Sequence, residues 1–491
     1  MFEALVAGLM QVLSWPSIGY LIIGALIGVI IGLLPGLGGM FTLAILLPFA
    51  YAMDPVSGLG LLLGAHAVVD TGGGITAILF GTPGSPGTAA MTFDGYPLTK
   101  KGKAGLALGA NLAASAIGGV AGAFVLAALL PVIRPLILKL GSPEFFLITL
   151  LGLAMIALIG EGSTMKSLIA AFFGLFLSMI GLDPVHGGTR FTFGQLYLWE
   201  GLSLIPVVIG LFALAEMMDL TSKNAKSISE IKQSYTDLFK GIIITFRSWW
   251  LVLRSSAIGI IIGIIPGLGS DTANFISYGH AKQTSKNPEK FGEGNIDGVL
   301  GPGSSNNAKE GGSLLPTLAF GIPGSASMAL ILGAFMIWGI QPGPEMLKEN
   351  LSVTFAIIWI LVLGNIVGAL LCIPFSFWSI KLTNIRSSIM VPVIILLSVV
   401  GALAAHNHIG DIIVACAFGI IGYFMKKYDY SRAVLLIGLV LGSIAESNLN
   451  LTLNLYSYHF VSRPVSMLLI VMILLVLFWP LLNKAVKHAR R

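Results

Sequence analysis

The chain has 491 residues, of which 56% are hydrophobic and 10% are charged, and its formal net charge is +6. A soluble domain is typically about 25% charged, and a soluble fold could not bury so many apolar side chains, so that class is excluded. The positive balance fits the excess of lysine and arginine in cytoplasmic loops of membrane proteins, and no basic tract with interleaved aromatic residues points to nucleic acid. At about 20 residues per span, we predict an all-α, polytopic protein of the lipid bilayer with about 11 to 14 membrane segments.

The first predicted element is an apolar helix, Trp15–Leu34, which runs into the motif GLLPGLGG at Gly32–Gly39. Proline removes an amide donor and glycine permits a positive φ, so the motif predicts a broken helix. Such a break leaves carbonyls that suit a cation and amides that suit an anion. A proline kink without any ligand is the alternative interpretation. As candidates for cation coupling we select Gly36 and Gly38.

A second motif, GTPGSPGT at Gly81–Thr88, follows an apolar stretch that contains Asp70. Irregular backbone persists at membrane depth only where protein or a watery cavity surrounds it, so we predict the tip of a re-entrant hairpin, with a plain turn as the alternative. A short helix is expected to lead into this tip. Asp70 is a candidate for cation coupling, and pairing inside the protein is the alternative. The candidates for binding a carboxylate here are Thr82, Gly84, Ser85 and Thr88.

Both motifs occur a second time, as GIIPGLGSD at Gly263–Asp271 and GIPGSAS at Gly321–Ser327. The first recurs after 231 residues and the second after 240, so the second copy holds nine extra residues, which we place in Lys282–Asn306. The cation-coupling candidates of this copy are Gly267, Gly269, Asp271 and Glu310. Its carboxylate-binding candidates are Asn306, Asn307, Gly324, Ser325 and Ser327.

The repeat sets the predicted domain organisation. Residues 1–220 form the first membrane repeat, 221–240 a polar cytoplasmic linker, 241–450 the second membrane repeat, and 451–491 a last span with a basic tail. Duplicated units with broken helices typically meet near the bilayer midplane around a pseudo-twofold axis. We therefore predict two inverted repeats whose PGLG breaks approach each other, with parallel copies as the alternative.

Charged and reactive side chains inside the apolar stretches are few. Lys309 and Glu310 are expected to pair, because an unpaired buried charge is costly. His66 faces either a neighbouring helix or the cavity, and Asp94, in the segment FDGYP, is read as part of a turn. The sequence offers no nucleophile–base or metal-ligand constellation, so we predict no enzyme, no cofactor and no metal beyond a transported Na⁺.

Four segments carry a resemblance to the large membrane subunit of the tripartite tricarboxylate transporters, the TctA type. Among them are PGLGG after the first helix, GGGITAILFGTPGSPGTAAMTFDGYPLTKKGKAG, and PGLGSDTANFISYGHAK in the second copy. The resemblance extends over nearly the whole chain, and the segments together are very specific. They lie at Pro35–Pro48, Gly72–Leu108, Pro266–Val299 and Ser304–Ala334.

The resemblance implies a secondary symporter of a bacterial or archaeal cytoplasmic (inner) membrane that takes up a small carboxylate, tricarboxylate-like or related. It implies Na⁺ or H⁺ as coupling cation, elevator-type movement of the hairpins, and two protein partners: a small four-helix membrane subunit and an extracytoplasmic solute-binding protein. A stand-alone carboxylate carrier or channel is the alternative. Two departures fall near the expected site: Asp70-Thr71 replaces a small-residue or tyrosine-rich lead, and Pro302–Asn307 lacks the acid of the Pro-Glu-Ser-Ala-Asn-Asn that many members carry.

Overall fold

The structure, a computed structural model, describes residues 1–34, 36–159, 163–183, 187–221, 235–383, 387–404 and 406–489. These residues are almost entirely helical, which confirms the predicted all-α, polytopic membrane fold. Within them the only strands are β1, Gly181–Leu182, and β2, Thr189–Arg190, which pair antiparallel.

The helices follow the chain in two sets. The first set is α1 Phe2–Leu13, α2 Ser17–Gly32, α3 Gly39–Tyr51, α4 Pro55–Phe80, α5 Thr92–Lys100, α6 Ala104–Ile137, α7 Ser142–Ile159, α8 Thr164–Ser178, α9 Leu204–Val208 and α10 Ala215–Thr221. The second set is α11 Tyr235–Arg247, α12 Trp249–Ile264, α13 Ser270–Thr284, α14 Asp297–Phe320, α15 Ala326–Ile337, α16 Pro344–Lys348, α17 Leu351–Thr383, α18 Ser387–Ala404, α19 Ile409–Lys427, α20 Arg432–Tyr456 and α21 Pro464–Ala489. Between them lie a π-helical segment, Ile209–Leu214, and the 3₁₀ helices Pro86–Met91, Leu196–Leu198, Pro288–Lys290 and Ser457–Ser462.

Five helices in the described part of the chain are long and apolar enough to cross a bilayer, and they correspond to α4, α6, α17, α19 and α20. Two bent pairs raise this number to seven: α1 with α2, at 69°, and α11 with α12, at 77°. Six further apolar helices have 10–17 residues, which is short for a full span. The number of 11 to 14 membrane segments therefore stays a prediction.

The two copies pack in the same way. In the first, α2 lies along α4, and in the second α12 lies along α14; the long helix α6 then packs against α14, and α17 against α4. A Cβ at Gly28 would stand 2.3 Å from the carbonyl oxygen of Ala65, and one at the equivalent Gly259 would stand 2.5 Å from that of Ser305. Small residues let membrane helices approach this closely. The orientation of the copies across the membrane stays a prediction.

The helix that leads into each hairpin tip is longer than predicted. The prediction of a short helix is wrong, because α4 and α14 run unbroken for 26 and 24 residues and include the glycine runs Gly72–Gly74 and Gly311–Gly312. A Cβ at Gly312 would stand 2.3 Å from the carbonyl oxygen of Ile260. These glycines therefore serve close packing between helices and do not break them.

Two smaller features also differ from the sequence interpretation. The turn expected at Asp94 is wrong, since this residue lies inside α5. Residues 222–234 of the predicted linker lie outside the described residues, while Thr221 ends α10 and residues 235–240 begin α11.

Candidate functional site

Both PGLG motifs interrupt a helix, as predicted. The first break separates α2 from α3 and the second separates α12 from α13. Gly36 has a φ of +85° and Gly267 a φ of +87°, a region that glycine adopts at little cost. Pro35 lies outside the described residues. The matched angles mean that both copies make the same backbone turn at the same place in the motif.

The two hairpin tips are matched as well. We call Gly81–Ser85 the first serine turn and Gly321–Ser325 the second. Each begins with a glycine in the left-handed region, at φ +66° and +67°, which ends the preceding helix. Each then folds back onto that helix: a Cβ at Gly84 would stand 2.4 Å from the Cα of Gly73, and one at Gly324 would stand 2.5 Å from the Cα of Ser313.

Both breaks and both serine turns open on one cavity of about 690 Å³. The first residues of three helices line it: Gly39 of α3, Ser270 of α13 and Ala326 of α15. The structure therefore brings together motifs that lie more than 200 residues apart in the sequence. The site residues predicted from the sequence that line this cavity are Gly36, Gly38, Asp70, Ser85, Gly269, Ser325 and Ser327.

Contacts in this cavity cross from one copy to the other. A Cβ at Gly87, just after the first serine turn, would stand 2.3 Å from Ser270 Oγ, at the second break. A Cβ at Gly39, at the first break, would stand 3.5 Å from Ser327 Oγ, just after the second turn. Each break is thus in contact with the hairpin of the other copy. The two breaks face the same cavity, as the predicted pseudo-twofold arrangement requires.

Glu310 is paired inside the protein. Its Oε1 lies 2.6 Å from Lys309 Nζ, and both side chains are buried, which confirms the expected pairing. His66, from α4 of the first copy, lies with Nε2 3.1 Å from Glu310 Oε2, although the angle there is not that of a hydrogen bond. Lys309 and His66 also line the cavity. Of the two positions considered for His66, the structure shows the cavity wall, in contact with the second copy.

Asp70 occupies the equivalent position in the first copy but has a different partner. Ser85 Oγ donates a hydrogen bond of 2.8 Å to Asp70 Oδ1. The side chain is buried and lines the cavity. No lysine, arginine or histidine of the described residues forms an ion pair with it. A buried carboxylate that faces a cavity with only a hydroxyl partner is a suitable ligand for a cation.

The predicted asparagines hold helices together and do not line the cavity. The Asn307 amide nitrogen lies 3.0 Å from the carbonyl oxygen of Ala67, 2.9 Å from Thr71 Oγ1 and 2.7 Å from Asn365 Oδ1. Asn306 Oδ1 accepts a hydrogen bond of 2.8 Å from the amide of Asn274. These bonds tie α14 to α4, α17 and α13.

The remaining predicted residues lie beside the cavity. Thr88 caps the first serine turn, since its hydroxyl donates to the Ser85 carbonyl at 2.9 Å and accepts from the Ser85 amide at 3.2 Å. Thr82 is exposed, and Gly84 and Gly324 shape the turns. Gly267 makes the second break. The side chain of Asp271 lies outside the described residues.

Asp94 anchors the first hairpin to the second copy. Its Oδ1 accepts three backbone hydrogen bonds of 2.7–2.9 Å, from the amides of Gly292, Gly294 and Asn295, and its Oδ2 accepts one of 2.9 Å from the Tyr278 hydroxyl. The amides belong to the stretch in which the nine extra residues were placed. Burial, and then the hydrogen bond to Asp94, raise the pKa of the Tyr278 phenol, so this hydroxyl remains a donor at neutral pH.

Sequence reasoning missed one part of the cavity wall, a set of charged side chains from outside the repeated motifs. They come from α8, α10, α19, the loop after α19 and the start of α20, so no local pattern connects them. Their only signal in the sequence is that they are charged residues at the ends of apolar segments. They are Lys166, Glu216, Lys426, Asp429 and Arg432.

Comparison with known proteins gives a family and two relatives. Residues 18–437 match the family described as "Tripartite tricarboxylate transporter TctA family". An "Uncharacterized 52.8 kDa protein in TAR-I ttuC' 3'region" of Agrobacterium vitis is 34% identical over 434 residues, which is 88% of this chain and 86% of that protein. An "Uncharacterized protein in TAR-II ttuC' 3'region" of the same organism is 37% identical over 191 residues, 39% of this chain and 79% of that protein. No solved structure matches.

Proposed function

This chain belongs to the TctA family of tripartite tricarboxylate transporters, and we propose that it takes up a small carboxylate by symport with a cation. The family places it as the large, multi-pass membrane subunit of a transporter, not among enzymes. Beyond the family, we propose a carboxylate as the substrate, a binding site for it, and its coupling to a cation.

The observation that carries the proposal is the meeting of three helix starts in one cavity, at Gly39, Ser270 and Ala326. The first amides of a helix lack intrahelical partners and carry partial positive charge, so they favour a carboxylate. The hydroxyls of Ser85 and Ser325 stand beside them. A cavity of about 690 Å³ lies within the usual range for small-molecule sites, roughly 300–1,000 Å³. The anion then lies between the two copies, in contact with both serine turns.

The cation side of the proposal rests on Asp70 and the first break. Asp70 is a buried carboxylate without an ion pair among the described residues, and the break residues Gly36 and Gly38 line the same cavity. Either Na⁺ or H⁺ would neutralise Asp70 and lower the repulsion between this carboxylate and an anionic substrate. Binding of the cation and of the carboxylate is coupled in this way.

Two protein partners complete the proposal: a small four-helix membrane subunit and a solute-binding protein that delivers the carboxylate to a bacterial or archaeal inner membrane. Both follow from the tripartite organisation of the family. Activity of this chain without either partner would instead favour a stand-alone carrier.

Calorimetry with the purified chain in lipid nanodiscs tests the proposal. Citrate, a tricarboxylate, and succinate, a dicarboxylate, serve as probes, and saturable binding of one of them is expected. In proteoliposomes with both partners, uptake is expected to require an inward gradient of Na⁺ or H⁺. Binding of neither probe, or uptake that ignores both gradients, would contradict the proposal. Uptake at an equal rate without the binding protein would support the stand-alone alternative.

A further inference from the structure

The cavity extends from the serine turns to a group of charged side chains. We call Lys166, Glu216, Lys426, Asp429 and Arg432 the charged mouth, because all line the cavity and Asp429 is exposed to solvent. None of them belongs to a repeated motif.

Two carboxylates of this region form ion pairs with the same lysine. Lys426 Nζ lies 2.5 Å from Glu216 Oε1 and 2.6 Å from Asp219 Oδ2. Glu216 is buried, so this contact is shielded from water. Lys426 shares its single positive charge between these two carboxylates, so the three side chains together keep one negative charge.

Arg432 is held more loosely. Its guanidinium nitrogens lie 3.4 and 3.5 Å from Glu216 Oε2, whereas charge-assisted hydrogen bonds are typically about 2.7–2.9 Å long. Nη1 donates a bond of 3.0 Å to the carbonyl oxygen of Leu211, and the guanidinium lies 5.5 Å from the centre of the Phe212 ring. Leu211 and Phe212 belong to the π-helical segment, a type of irregularity frequent at functional sites. These contacts orient the guanidinium, but they leave some of its N–H groups without a short hydrogen bond.

Lys166 has no carboxylate partner among the described residues. Its ammonium donates to the carbonyl oxygen of Tyr428 at 2.7 Å and lies 5.5 Å from the centre of the Tyr430 ring. The remaining acid of the mouth is Asp429, whose exposed charge is screened by salt. Arg432 balances the negative charge that Lys426 and its two carboxylate partners leave together. The ammonium of Lys166 therefore faces the cavity without a carboxylate partner among the described residues.

We propose that Arg432 and Lys166 form a second carboxylate site, in which the substrate is held on its way between the serine turns and the solvent. The planar guanidinium of Arg432 matches the geometry of a carboxylate. The substrate carboxylate replaces the long contact between Arg432 and Glu216, and Glu216 stays paired with Lys426. Glu216 lies on α10, which ends at Thr221 where the linker begins. The site lies near the start of the linker, which the sequence predicts to be cytoplasmic, so in uptake we expect it to receive the carboxylate after the serine turns release it. This inference rests on the proposed carboxylate transport.

A cysteine placed in the mouth tests the site. Ala433 lines the cavity beside Arg432, and Ala433→Cys is made in a Cys416→Ser background, since Cys416 is exposed and Cys372 is buried. The cysteine reacts with two methanethiosulfonate reagents, one with a sulfonate and one with a trimethylammonium group, each rate being normalised to that with a small free thiol. We expect the anionic reagent to react faster, and citrate to slow its reaction.

Charge removal gives the quantitative part of the test. A unit charge roughly 7 Å away in water changes such a rate by about threefold, in opposite directions for the two reagents. Arg432→Gln and Lys166→Gln are therefore each expected to lower the anionic-to-cationic ratio by roughly sevenfold. Arg254→Gln, at a half-buried arginine outside the cavity lining, is the matched control and should leave the ratio unchanged.

The outcomes separate this site from the proposed function. A ratio that favours the cationic reagent, or that neither substitution lowers, overturns the second site. In another outcome the ratio is as expected, but citrate, at a concentration that calorimetry shows to be saturating, fails to slow the reaction of the cysteine. That result overturns the role of the second site in transport. Absence of all carboxylate binding contradicts the proposed function, and with it the use of this site by substrate, while the ratio still reports whether the mouth attracts anions.

Discussion

Asp70 and Glu310 occupy equivalent positions in the two copies, 240 residues apart, yet their surroundings differ. Glu310 lies 2.6 Å from the ammonium of Lys309 and 3.1 Å from the ring of His66. Asp70 accepts a hydrogen bond from Ser85, and Val69 stands where the second copy has Lys309. One acid is neutralised by its own copy, and the other is left with a hydroxyl.

The different surroundings of Asp70 and Glu310 indicate different roles for two residues at equivalent positions of the repeat. A carboxylate that is already paired adds no net charge to the cavity, so Glu310 stabilises the fold and holds Lys309 in place. A buried carboxylate without a cation needs one from elsewhere. Asp70 is therefore the better candidate for the coupling cation, and Glu310, which the sequence placed in the same class, is the weaker one.

The largest effect is expected from Glu310→Gln. The substitution breaks the buried ion pair between Glu310 and Lys309, and breaking such a pair costs about 3–5 kcal/mol of folding stability. The amount of folded protein extracted from membranes and its melting temperature should both fall sharply.

Asp237→Asn is the matched control for this change. Asp237 pairs with Lys240 at 2.9 Å, but both side chains are well exposed, and exposed pairs contribute only about 0–1 kcal/mol. Equal losses of stability from the two substitutions would refute the assignment of Glu310 as a buried structural charge.

Asp70→Asn should instead preserve the fold and weaken the binding of the coupling cation. The amide oxygen still accepts the hydrogen bond from Ser85, but the cation loses its charged ligand, worth about 1.5–3 kcal/mol. The half-saturating cation concentration for uptake should rise by about ten- to a hundredfold. Citrate affinity measured without the cation should stay equal or increase, because a negative charge facing the anion is removed. Unchanged cation dependence of uptake would show that the cation binds elsewhere.

The two serine turns give the next comparison. Ser325→Ala should raise the half-saturating citrate concentration about tenfold, through the loss of one hydrogen bond to a charged ligand, and leave cation dependence as it is. Ser85→Ala should weaken the binding of citrate and of the cation, because the Ser85 hydroxyl also donates a hydrogen bond to Asp70. Uptake assays that vary citrate and cation separately measure this. Identical behaviour of the two variants would contradict the distinct roles of the copies.

The smallest effect is expected at Asp94, an anchor that only the first copy has, since Ala334 stands at the equivalent position of the second. Tyr278→Phe removes one of four hydrogen bonds to this carboxylate and should cost about 1 kcal/mol. The melting temperature should drop by a few degrees, with citrate affinity unchanged. A large loss of citrate affinity would show that this anchor also positions the serine turns.

The repeated motifs allowed much of the site to be predicted from the sequence. Proline and glycine act on the backbone locally, so the breaks at Gly36 and Gly267 and the turns at Gly81 and Gly321 follow from the sequence around each. The Lys309–Glu310 pair could be predicted for the same reason, since its members are neighbours in the chain.

What the sequence did not reveal depends on packing between distant segments. The helix that leads into the first hairpin tip was predicted to be short, but it runs through the glycines at Gly72–Gly74, which allow a close approach between helices. Asn307 looked like a ligand, but its amide joins α14 to α4 and α17. The charged mouth brings Lys166 and Arg432 together from opposite halves of the chain, and no spacing in the sequence indicates that they meet.

The most direct test of a carboxylate site between the two copies is an experimental structure of the chain determined at saturating citrate. We expect density for the anion between Ser85 and Ser325, next to the first residues of α3, α13 and α15. Citrate bound on the outer surface, or in the charged mouth alone with the space between the serine turns left empty, would contradict it.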